Sequence, residues 1–365
     1  MEIGAKLKEI SQLFRVNGRF VGYEHIRIGN VNQTYTVTIR DKEGKRIRYL
    51  VQRINTYAFH NPEVVMHNID LVTSYLHQRN PHLIGINFLQ AEDGKSYVED
   101  EDGVWRMSNF IPSVTHCSCE DPAIAVETGR AFGAFQALLL DFDASQLYET
   151  IPDFHNTPKR SATLLADAQR DPLGRVAQVQ EELAFVASVQ EEAGILARWL
   201  AAGELPLRVT HNDTKVNNVL FDEDRPYALT VVDLDTVMPG LVASDFGDAI
   251  RFGANREAED SENWQNAGCD MEIFRNFARG FLGQTGGVLT PRELESLSIA
   301  PFVLSFECGI RFLDDYITGD PYFKIEFPQH NLVRTRCQFA MAKDCLSRRE
   351  EMAAIIKECL PDQTC

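Results

Sequence analysis

The chain lacks a long apolar run, and it has fewer basic than acidic residues. Each feature excludes a class of protein. Nowhere do about 18 or more apolar residues follow one another, so the sequence predicts no transmembrane helix. The amino-terminal segment MEIGAKLKEISQLF carries charges throughout and lacks the apolar stretch of a signal peptide. Lysine and arginine number 36 against 53 aspartates and glutamates, and the net charge of −17 disfavours nucleic acid or an anionic membrane as a partner.

Cysteine motifs are also missing. The eight cysteines form no CxxC pair, and no cysteine–histidine spacing is typical of zinc. This usage indicates reduced thiols in a cytoplasmic protein. A chain of 365 residues that is 44% hydrophobic can bury two cores, so we expect two lobes. We expect the protein to be a monomer or a weak dimer.

Alternating apolar residues predict strands around one helix in the first part of the chain. Residues 20–55 indicate strands, with a hairpin around the turn DKEGK. A helix is expected from Pro62 to about Gln78, because Asn61 can cap it and proline suits the first helical position. Two further strands are predicted at 86–89 and 104–110.

Longer helices are predicted in the second part of the chain, which begins near residues 111–121. The helical ranges are 124–140, 176–200 and the segment that starts at the capping box Thr290-Pro291-Arg292-Glu293. Gly129 and Gly133 lie four residues apart and would let the first helix pack closely against a neighbour. A strand-rich insert at 207–237 interrupts the helices.

A polar loop between two apolar strands carries the residues best suited to chemistry. The segment VTHNDTKVNNVLF, from Val209 to Phe221, indicates strand, loop and strand, and the next strand ends in VDLD. Asn218 follows Asp213 by five residues, and Asp233 follows Asp213 by twenty. A hairpin between the two strands would bring all three side chains to one mouth.

Phosphoryl transfer requires such a set, because the protein mainly positions groups and stabilises charge in a loose transition state. Asp213 would orient an acceptor hydroxyl and take its proton, and Lys215 could neutralise charge on the transferred group. Asn218 and Asp233 offer the hard oxygen ligands that suit Mg²⁺. The same spacing between a base aspartate and a metal-binding asparagine is typical of the protein-kinase catalytic loop.

Two neighbours of these residues each allow two interpretations. His211 either contacts the acceptor or only supports the loop. Asp235 is either a supporting partner of the site or a helix cap. A polar loop held by ordinary hydrogen bonds would explain one such residue, but hardly three at this spacing between apolar strands.

The motifs HNDTKVNN, VDLDT and SDFGDAIRFG together resemble the aminoglycoside phosphotransferase and choline kinase superfamily. More narrowly, the chain is similar to bacterial N-acetylhexosamine 1-kinases over nearly its whole length, most strongly from residue 130 onward. The segments that carry this similarity are FDASQL, ETIPDFHNTPKR, PLRVTHNDTK, FECGIRFLDDY and HNLVRTR.

The resemblance implies an α+β, protein-kinase-like fold of two lobes. Residues 1–111 would form the nucleotide-binding lobe, a small antiparallel sheet with one helix, and residues 112–365 a mostly helical lobe with the catalytic loop and a sugar pocket. It implies ATP and Mg²⁺, an N-acetylhexosamine (N-acetylgalactosamine or N-acetylglucosamine) as acceptor and a sugar 1-phosphate as product. By the same resemblance Asp213 is the base, and Asn218 and Asp233 hold the metal.

The first lobe departs from the kinase pattern. The segment GNVNQTY, at 29–35, lies where a glycine-rich phosphate loop belongs but has one glycine. The usual strand lysine is missing, and Gln52 or Arg53 stands in its place, with Glu63 or Asp70 as a possible partner on the next helix. Strand alternation lets only one of the two point inward. The expected nucleotide-binding residues are Asn30, Asn32, Thr34, Arg53, Asn109 and Ile111.

Arg311 allows two interpretations. Glu307 and Asp315 lie four residues before and after it, which would suit a surface ladder of ion pairs. Its apolar neighbours instead indicate a buried segment, where arginine needs partners such as a ligand hydroxyl or carbonyl. The resemblance favours the second interpretation and places Arg311 in the sugar pocket.

Two other functions stay open at this point. The first keeps the chemistry but changes the acceptor to choline, homoserine or an aminoglycoside, and the cationic acceptors would call for an acidic pocket. The second is a nucleotide-binding pseudokinase that regulates a partner. The intact Asp213, Asn218 and Asp233 argue against the pseudokinase, and the missing strand lysine is the only point in its favour.

Overall fold

The computed structural model describes residues 2–26, 31–119 and 121–361, which fold as two units. The first unit comprises the residues up to Val114 together with Ser145–Ile151 and Val232–Met238. The second comprises Thr115–Ala144, Pro152–Val231 and the residues from Pro239 onward. Within these described ranges, no helix combines the length and apolar character that crossing a bilayer requires. The seven cysteines in them are free thiols.

The first unit is an antiparallel sheet with two helices. Its elements are α1 (Ile3–Leu13), β1 (Arg19–Ile26), β2 (Gln33–Arg40), β3 (Arg46–Arg53), α2 (Pro62–Arg79), β4 (Tyr97–Asp100) and β5 (Gly103–Asn109). The strand order is β1-β2-β3-β5-β4. The predicted hairpin is confirmed as β2 and β3, which pair from Arg40 opposite Arg46 to Gln33 opposite Arg53.

The core of this unit lies on one face of the sheet, against α1. Leu7 and Ile10 of the helix pack with Val37, Val51 and Trp105 of the strands, and all five side chains are buried. The alternation of a strand explains this arrangement, because every second side chain points to the same face.

The helix predicted from Pro62 is confirmed as α2, and Asn61 caps it by accepting a hydrogen bond from the Val64 N–H at 3.3 Å. The strand predicted at 86–89 is wrong, since only an isolated bridge between Phe88 and Ser108 forms there. The Asn87 N–H donates to the side chain of Asn109 at 2.6 Å, so it is not available to a regular ladder. The strand that pairs with β5 along this edge is β4.

The second unit is mostly helical. Its helices are α3 (Pro122–Leu138), α4 (Thr157–Arg170), α5 (Gln180–Ser188), α6 (Gln190–Ala193), α7 (Ile195–Ala201), α8 (Val242–Gly253), α9 (Met271–Thr285), α10 (Pro291–Ser296), α11 (Ala300–Thr318), α12 (His330–Ser347) and α13 (Arg349–Cys359). Its short strands are β6 (Arg208–Thr210), β7 (Val219–Phe221) and β8 (Ala228–Val231), and β9 (Met238–Gly240) begins at the last residue of the first unit.

Helices α3 and α9 meet through glycines. A methyl group on Gly129 would lie 2.1 Å from the Phe277 carbonyl oxygen, and one on Gly133 would lie 2.7 Å from that of Phe281. From the other side, a methyl group on Gly280 would lie 2.0 Å from the Val126 oxygen. The close packing predicted for Gly129 and Gly133 is confirmed. We call Gly129, Gly133 and Gly280 the glycine seam.

The single helix predicted at 176–200 is wrong, because the segment is a short 3₁₀ turn followed by α5, α6 and α7. The helical dihedral angles are lost at Val189 (φ −118°, ψ 18°), which separates α5 from α6, whereas Gly194 between α6 and α7 stays in the right-handed helical region (φ −84°, ψ −1°). Both residue types are weak helix formers, and the apolar spacing alone does not show this. The capping box at Thr290 and Glu293 is confirmed, although its helix, α10, has only six residues.

Candidate active site

The polar loop predicted to carry the chemistry connects β6 and β7. The side chains of Thr210, His211 and Thr214 are fully buried, whereas Asp213 between them is 28% exposed. The turn depends on Asn212, whose φ of 62° lies in the left-handed region that asparagine tolerates better than most residues. The loop therefore presents one carboxylate and buries its neighbours.

Two aspartates of α8 hold the backbone of this loop. The Asp245 carboxylate accepts hydrogen bonds from the His211 and Asn212 N–H groups, both at 2.8 Å. One turn further along, the Asp248 carboxylate accepts from the Thr214 N–H at 3.1 Å. Buried backbone N–H groups need acceptors, and these carboxylates provide them on both sides of Asp213.

The supporting roles of Asp245 and Asp248 were missed at the level of sequence. Both lie in the quoted motif SDFGDAIRFG, and two aspartates in an otherwise apolar helix are a signal that buried donors lie nearby. Burial acts to raise the pKa of Asp248, but Arg251 and Lys215 outweigh it and hold that pKa below its ordinary value. Asp248 is therefore a carboxylate with cationic partners.

The Asp213 carboxylate is oriented by two neighbours from its own loop. Its Oδ1 lies 2.9 Å from Lys215 Nζ, and its Oδ2 accepts from Asn218 Nδ2, also at 2.9 Å. Burial acts to lower the pKa of Lys215, but Asp213 and Asp248 raise it above its ordinary value. Lys215 is thus an ammonium beside a reachable carboxylate.

Asn218 is suited to coordinate a cation. Its Nδ2 also donates to the Asp213 carbonyl oxygen at 2.8 Å, so both hydrogen bonds use the amide nitrogen and the amide oxygen faces elsewhere. Val219 is the register partner of Val231 in the β7–β8 hairpin, which confirms the predicted hairpin. Asn218 directly precedes β7, and Asp233 lies two residues beyond the end of β8, in the first unit.

Asp233 has an unusual backbone. Its φ of 63° and ψ of 60° are left-handed, a conformation that costs most L-residues about 1–2 kcal/mol. Such strain persists only where the surroundings hold it, and it is frequent at functional sites. Among the described residues there is no group of three or more His, Cys, Asp and Glu side chains placed for a metal ion. Asp233 offers a carboxylate and Asn218 an amide oxygen, and both are ligand types that suit Mg²⁺, which usually keeps several water ligands.

The first unit contains a separate polar network on the sheet face opposite to α1. Thr34 and Gln52 are register partners, as are Gln52 and Arg106, so the three side chains share this face. Gln52 donates to Thr34 Oγ1 at 3.2 Å and accepts from Arg106 Nε at 2.9 Å. Arg53 points to the other face, with its guanidinium 5.8 Å from the Trp105 ring centre. Of the two candidates for the place of the strand lysine, Gln52 therefore points toward the polar network and Arg53 points away from it.

Arg106 was missed in the sequence. Its Nη1 lies 2.5 Å from Asp235 Oδ1, while Asn32 Nδ2 donates to the other carboxylate oxygen at 2.6 Å. The side chains of Arg106 and Asp235 are only 2% and 3% exposed. Asp235 thus pairs with side chains of the first unit and does not cap the turn in which it lies, and a supporting role at the site stays a prediction. An arginine between Trp105 and Met107 in an apolar strand was the available signal, since it requires a buried partner.

The remaining predicted residues of the first unit have local partners. Asn109 donates to the Gly85 carbonyl oxygen at 3.1 Å, and the Ile111 carbonyl oxygen accepts from Ser113 Oγ at 2.9 Å. Asp70 accepts from Ser96 Oγ at 2.6 Å and is not the partner of a strand cation. Asn30 lies outside the described residues.

His211 is fully buried against aromatic side chains. Its ring meets those of Phe132 and Phe135 edge-on, with centres 5.4 Å and 5.9 Å away. Its Nδ1 accepts from the Asp213 N–H at 3.3 Å. These contacts are those of loop support, and a contact with the acceptor stays a prediction.

The surface ladder of ion pairs around Arg311 does not form. The Glu307 carboxylate instead contacts His155 Nδ1 at 2.8 Å and accepts from Thr157 Oγ1 at 2.6 Å. Asp315 accepts from the Tyr322 N–H at 2.8 Å, among other donors. Both carboxylates are buried, which explains why they serve groups other than Arg311.

Arg311 lies at a pocket of about 200 Å³ in the second unit. The pocket is lined by Pro152, Asp153, Lys159, Arg160, Thr163, Ile310, Arg311 and Asp314. The Arg311 guanidinium lies 5.4 Å from the Phe154 ring centre and 5.5 Å from that of Phe323. Within the described part of the chain it makes no hydrogen bond or ion pair. Burial lowers the pKa of Arg160, and the nearby Arg311 lowers it further.

Known proteins similar to this chain share its fold. A family model, APH: Phosphotransferase enzyme family, matches residues 22–280. An aminoglycoside phosphotransferase from Alicyclobacillus acidocaldarius subsp. acidocaldarius DSM 446 has a TM-score of 0.63 at 12% identity, with 96% of each chain covered. A microcompartment-associated aminopropanol kinase gives 0.60 at 15% identity over 96% of this chain and 98% of that one. A choline kinase from Cryptosporidium parvum Iowa II has a TM-score of 0.55 at 15% identity, with 92% of each chain covered. The predicted protein-kinase-like α+β fold is confirmed.

Proposed function

Because the chain belongs to the phosphotransferase enzyme family, we propose that it is a kinase for N-acetylhexosamines. It transfers the γ-phosphoryl group of ATP to the anomeric hydroxyl of N-acetylgalactosamine or N-acetylglucosamine and gives the sugar 1-phosphate and ADP. The observation that carries this proposal is the Asp213 carboxylate, which lies between Lys215 and Asn218 in a loop fixed by Asp245 and Asp248.

Asp213 is the proposed base. It orients the acceptor hydroxyl and takes its proton as the bond to phosphorus forms, and an anomeric hydroxyl suits a carboxylate base because it is more acidic than an ordinary alcohol. Lys215 offsets negative charge on the transferred group. The hydrogen bond from Asn218 fixes the rotation of the carboxylate, so one oxygen lies toward Lys215 and the other toward the amide.

The amide oxygen of Asn218 and the carboxylate of Asp233 would hold Mg²⁺. When bound, the ion offsets charge on the phosphates of the nucleotide. Residues 1–111 are the proposed nucleotide-binding lobe, with 112–365 as the catalytic and acceptor lobe. Contacts to the nucleotide are proposed for Asn30, Asn32, Thr34, Asn109 and Ile111. Arg53 was expected among them, but it points to the sheet face against α1.

The pocket beside Arg311 is proposed to receive the acceptor. Arg311 has donors that no described residue uses, and the hydroxyls and amide carbonyl of an N-acetylated sugar are acceptors for them. Lys159, Arg160 and Arg311 give the pocket three cations against the two carboxylates of Asp153 and Asp314. This balance disfavours choline or an aminoglycoside, which would bring further positive charge.

A panel of free sugars, their methyl glycosides and small alcohols, assayed for ATP-dependent phosphorylation, tests the proposal. We expect the N-acetylhexosamines to be phosphorylated and NMR of the product to locate phosphate at the anomeric oxygen. Methyl glycosides lack the free hydroxyl and should be inert. Faster phosphorylation of choline, homoserine or an aminoglycoside would defeat the substrate assignment while leaving the kinase intact.

The substitution Arg311→Ala tests the acceptor pocket. It should raise the KM of the sugar by about tenfold and leave the KM of ATP within about twofold, as expected for one lost charge-assisted hydrogen bond. Arg170→Ala is the matched control, because Arg170 is an exposed arginine at the end of α4. Equal changes in both KM values would remove Arg311 from the acceptor pocket.

A further inference from the structure

The segment Val232–Met238 adopts an irregular backbone that needs support. Asp233 is left-handed, and a 3₁₀ turn from Leu234 to Thr236 follows it, closed by the Val237 N–H donating to the Leu234 oxygen at 3.1 Å. Neither a helix nor a sheet ladder fixes the orientation of Asp233. Contacts made by the rest of the segment add to those that determine its position.

Side chains from three places in the first unit contact the segment. Arg106 of β5 and Asn32, which precedes β2, both donate to the carboxylate of Asp235. Asn68 of α2, which is fully buried, donates through Nδ2 to the Val237 carbonyl oxygen at 2.8 Å. The segment is thus fixed two and four residues after Asp233.

The contact between Arg106 and Asp235 is a fully buried ion pair. A buried pair rarely stabilises a protein more than well-packed apolar side chains of the same volume, so stability alone does not account for it. The pair instead fixes the orientation of the side chains that it joins. Arg106 uses Nε on Gln52 and Nη1 on Asp235, and the rigid fork of a guanidinium sets the angle between these two partners.

We propose that Arg106 is a positioning residue that orients the magnesium ligand Asp233 by holding Asp235. This inference rests on the proposed function, in which Asp233 binds the metal. This role of Arg106 also explains why the strand lysine is absent. Gln52 occupies that place and orients Arg106 from the neighbouring strand, so the cation on this face is committed to a carboxylate and not to the nucleotide. Asp235 serves Arg106 and Asn32, and the metal is assigned to Asp233.

The double substitution Arg106→Met with Asp235→Leu tests this role, because it removes both charges of the pair together. Melting temperature, turnover and binding of an ATP analogue with an imido bridge between the β- and γ-phosphates are measured over a series of Mg²⁺ concentrations. The melting temperature should stay near that of the wild type. Binding of the analogue should need about 10- to 100-fold more Mg²⁺, the usual effect of losing a residue that orients a metal ligand.

Arg106→Lys is the second variant, since it keeps the charge but cannot contact Gln52 and Asp235 with the same fork. It should fold and require about tenfold more Mg²⁺ for the same binding. Lys6→Met is the control for a buried cation of the same unit. Lys6 of α1 pairs with Asp100 at 2.6 Å and Asp102 at 2.7 Å, and its loss should lower stability without changing the Mg²⁺ dependence.

The possible outcomes separate this inference from the function beneath it. If the double variant keeps the Mg²⁺ dependence and turnover of the wild type, the pair is only structural and the inference is wrong, while the kinase assignment stands. If the analogue binds the wild type equally well with and without Mg²⁺, the magnesium site itself is wrong, and the inference falls with it.

Discussion

The loop around Asp213 in the second unit and the polar network of the first are both fixed by buried carboxylates, but in opposite ways. In the loop, Asp245 and Asp248 accept from backbone N–H groups. In the network, Asp235 accepts from the side chains of Arg106 and Asn32. The loop thus keeps its own side chains available for chemistry, whereas the network uses its side chains to hold a segment in place.

This difference separates two kinds of substitution. A change to a side chain of the loop should alter the chemistry and leave the fold, because the backbone is supported from α8. A change in the network should alter position or stability, because Gln52, Arg106 and Asp235 contact one another. Four substitutions test whether the two regions differ in this way.

The largest effect is expected at the exposed carboxylate of the loop. Asp213→Asn should lower turnover by about 10²- to 10⁴-fold, the range expected for a lost general base. Binding of ATP and the melting temperature should change little, because the frame formed by Asp245 and Asp248 is untouched. Steady-state kinetics, calorimetry with the imido analogue and thermal unfolding check the three quantities. Asp224→Asn, in the exposed turn of the β7–β8 hairpin, is the control, and near wild-type turnover in Asp213→Asn would exclude the base role.

The frame of the loop should behave differently. Asp245→Ala leaves the His211 and Asn212 N–H groups without their acceptor, at a cost of about 1–3 kcal/mol each. The free energy of unfolding and turnover should fall together, and urea denaturation measures the first. Asp245→Asn keeps one acceptor oxygen, so its free energy of unfolding should fall by about half as much as that of Asp245→Ala. Loss of turnover at unchanged stability would mean that Asp245 acts on the reaction itself.

A third substitution tests the network by restoring the kinase pattern. Gln52→Lys puts the missing strand lysine back, beside an Arg106 whose Nε now lies 2.9 Å from Gln52 Oε1. Two cations this close and partly buried should lower the free energy of unfolding by about 2 kcal/mol and should not raise turnover. Urea denaturation and the KM of ATP are the measurements. A tighter KM at unchanged stability would show that the face has room for a second cation.

The smallest effect concerns the entry to the loop. Arg208 of β6 donates through Nε to the Glu293 carboxylate at 2.9 Å, and this carboxylate also caps α10. Burial acts to raise the pKa of Glu293, but Arg208 and the Thr290 N–H hold it below the ordinary value of 4.5. A carboxylate with a lowered folded pKa stabilises at higher pH and loses this contribution as the pH falls through the folded value.

Glu293→Gln should therefore lower the free energy of unfolding by about 1–2 kcal/mol at neutral pH. The difference from the wild type should shrink as the pH drops below 4.5, where the unfolded chain takes up the proton first. Turnover should be unchanged. Urea denaturation of both proteins across acidic pH measures this, and a difference that grows on acidification would contradict the assigned shift.

The two regions also differ in how far sequence alone could describe them. Asp213, Lys215 and Asn218 lie within one short motif, and local strand pattern was enough to place them on a loop. Arg106 could not be assigned, because its partner Gln52 is 54 residues away and its partner Asp235 is 129 residues away. Only the register between β3 and β5 brings the first pair together.

The errors in secondary structure have a similar cause. The apolar residues at 86–89 have the pattern of a strand, but the side chain of Asn109 takes the backbone N–H that such a strand would use. The helix predicted at 176–200 is interrupted where Val189 leaves helical geometry. In both places a local feature outweighs a correct hydrophobic pattern.

The glycine seam has a mechanical consequence for the loop around Asp213. Helices α3 and α9 touch backbone to backbone there, with no flexible side chain between them to absorb a displacement. Gln136, one turn beyond Gly133 on α3, donates to Asp245 at 2.6 Å, and Asp245 holds the loop. Close backbone contacts and one hydrogen bond therefore connect α9 through α3 to the backbone around Asp213, so a shift of α9 would displace Asp213 without any change in its side-chain partners.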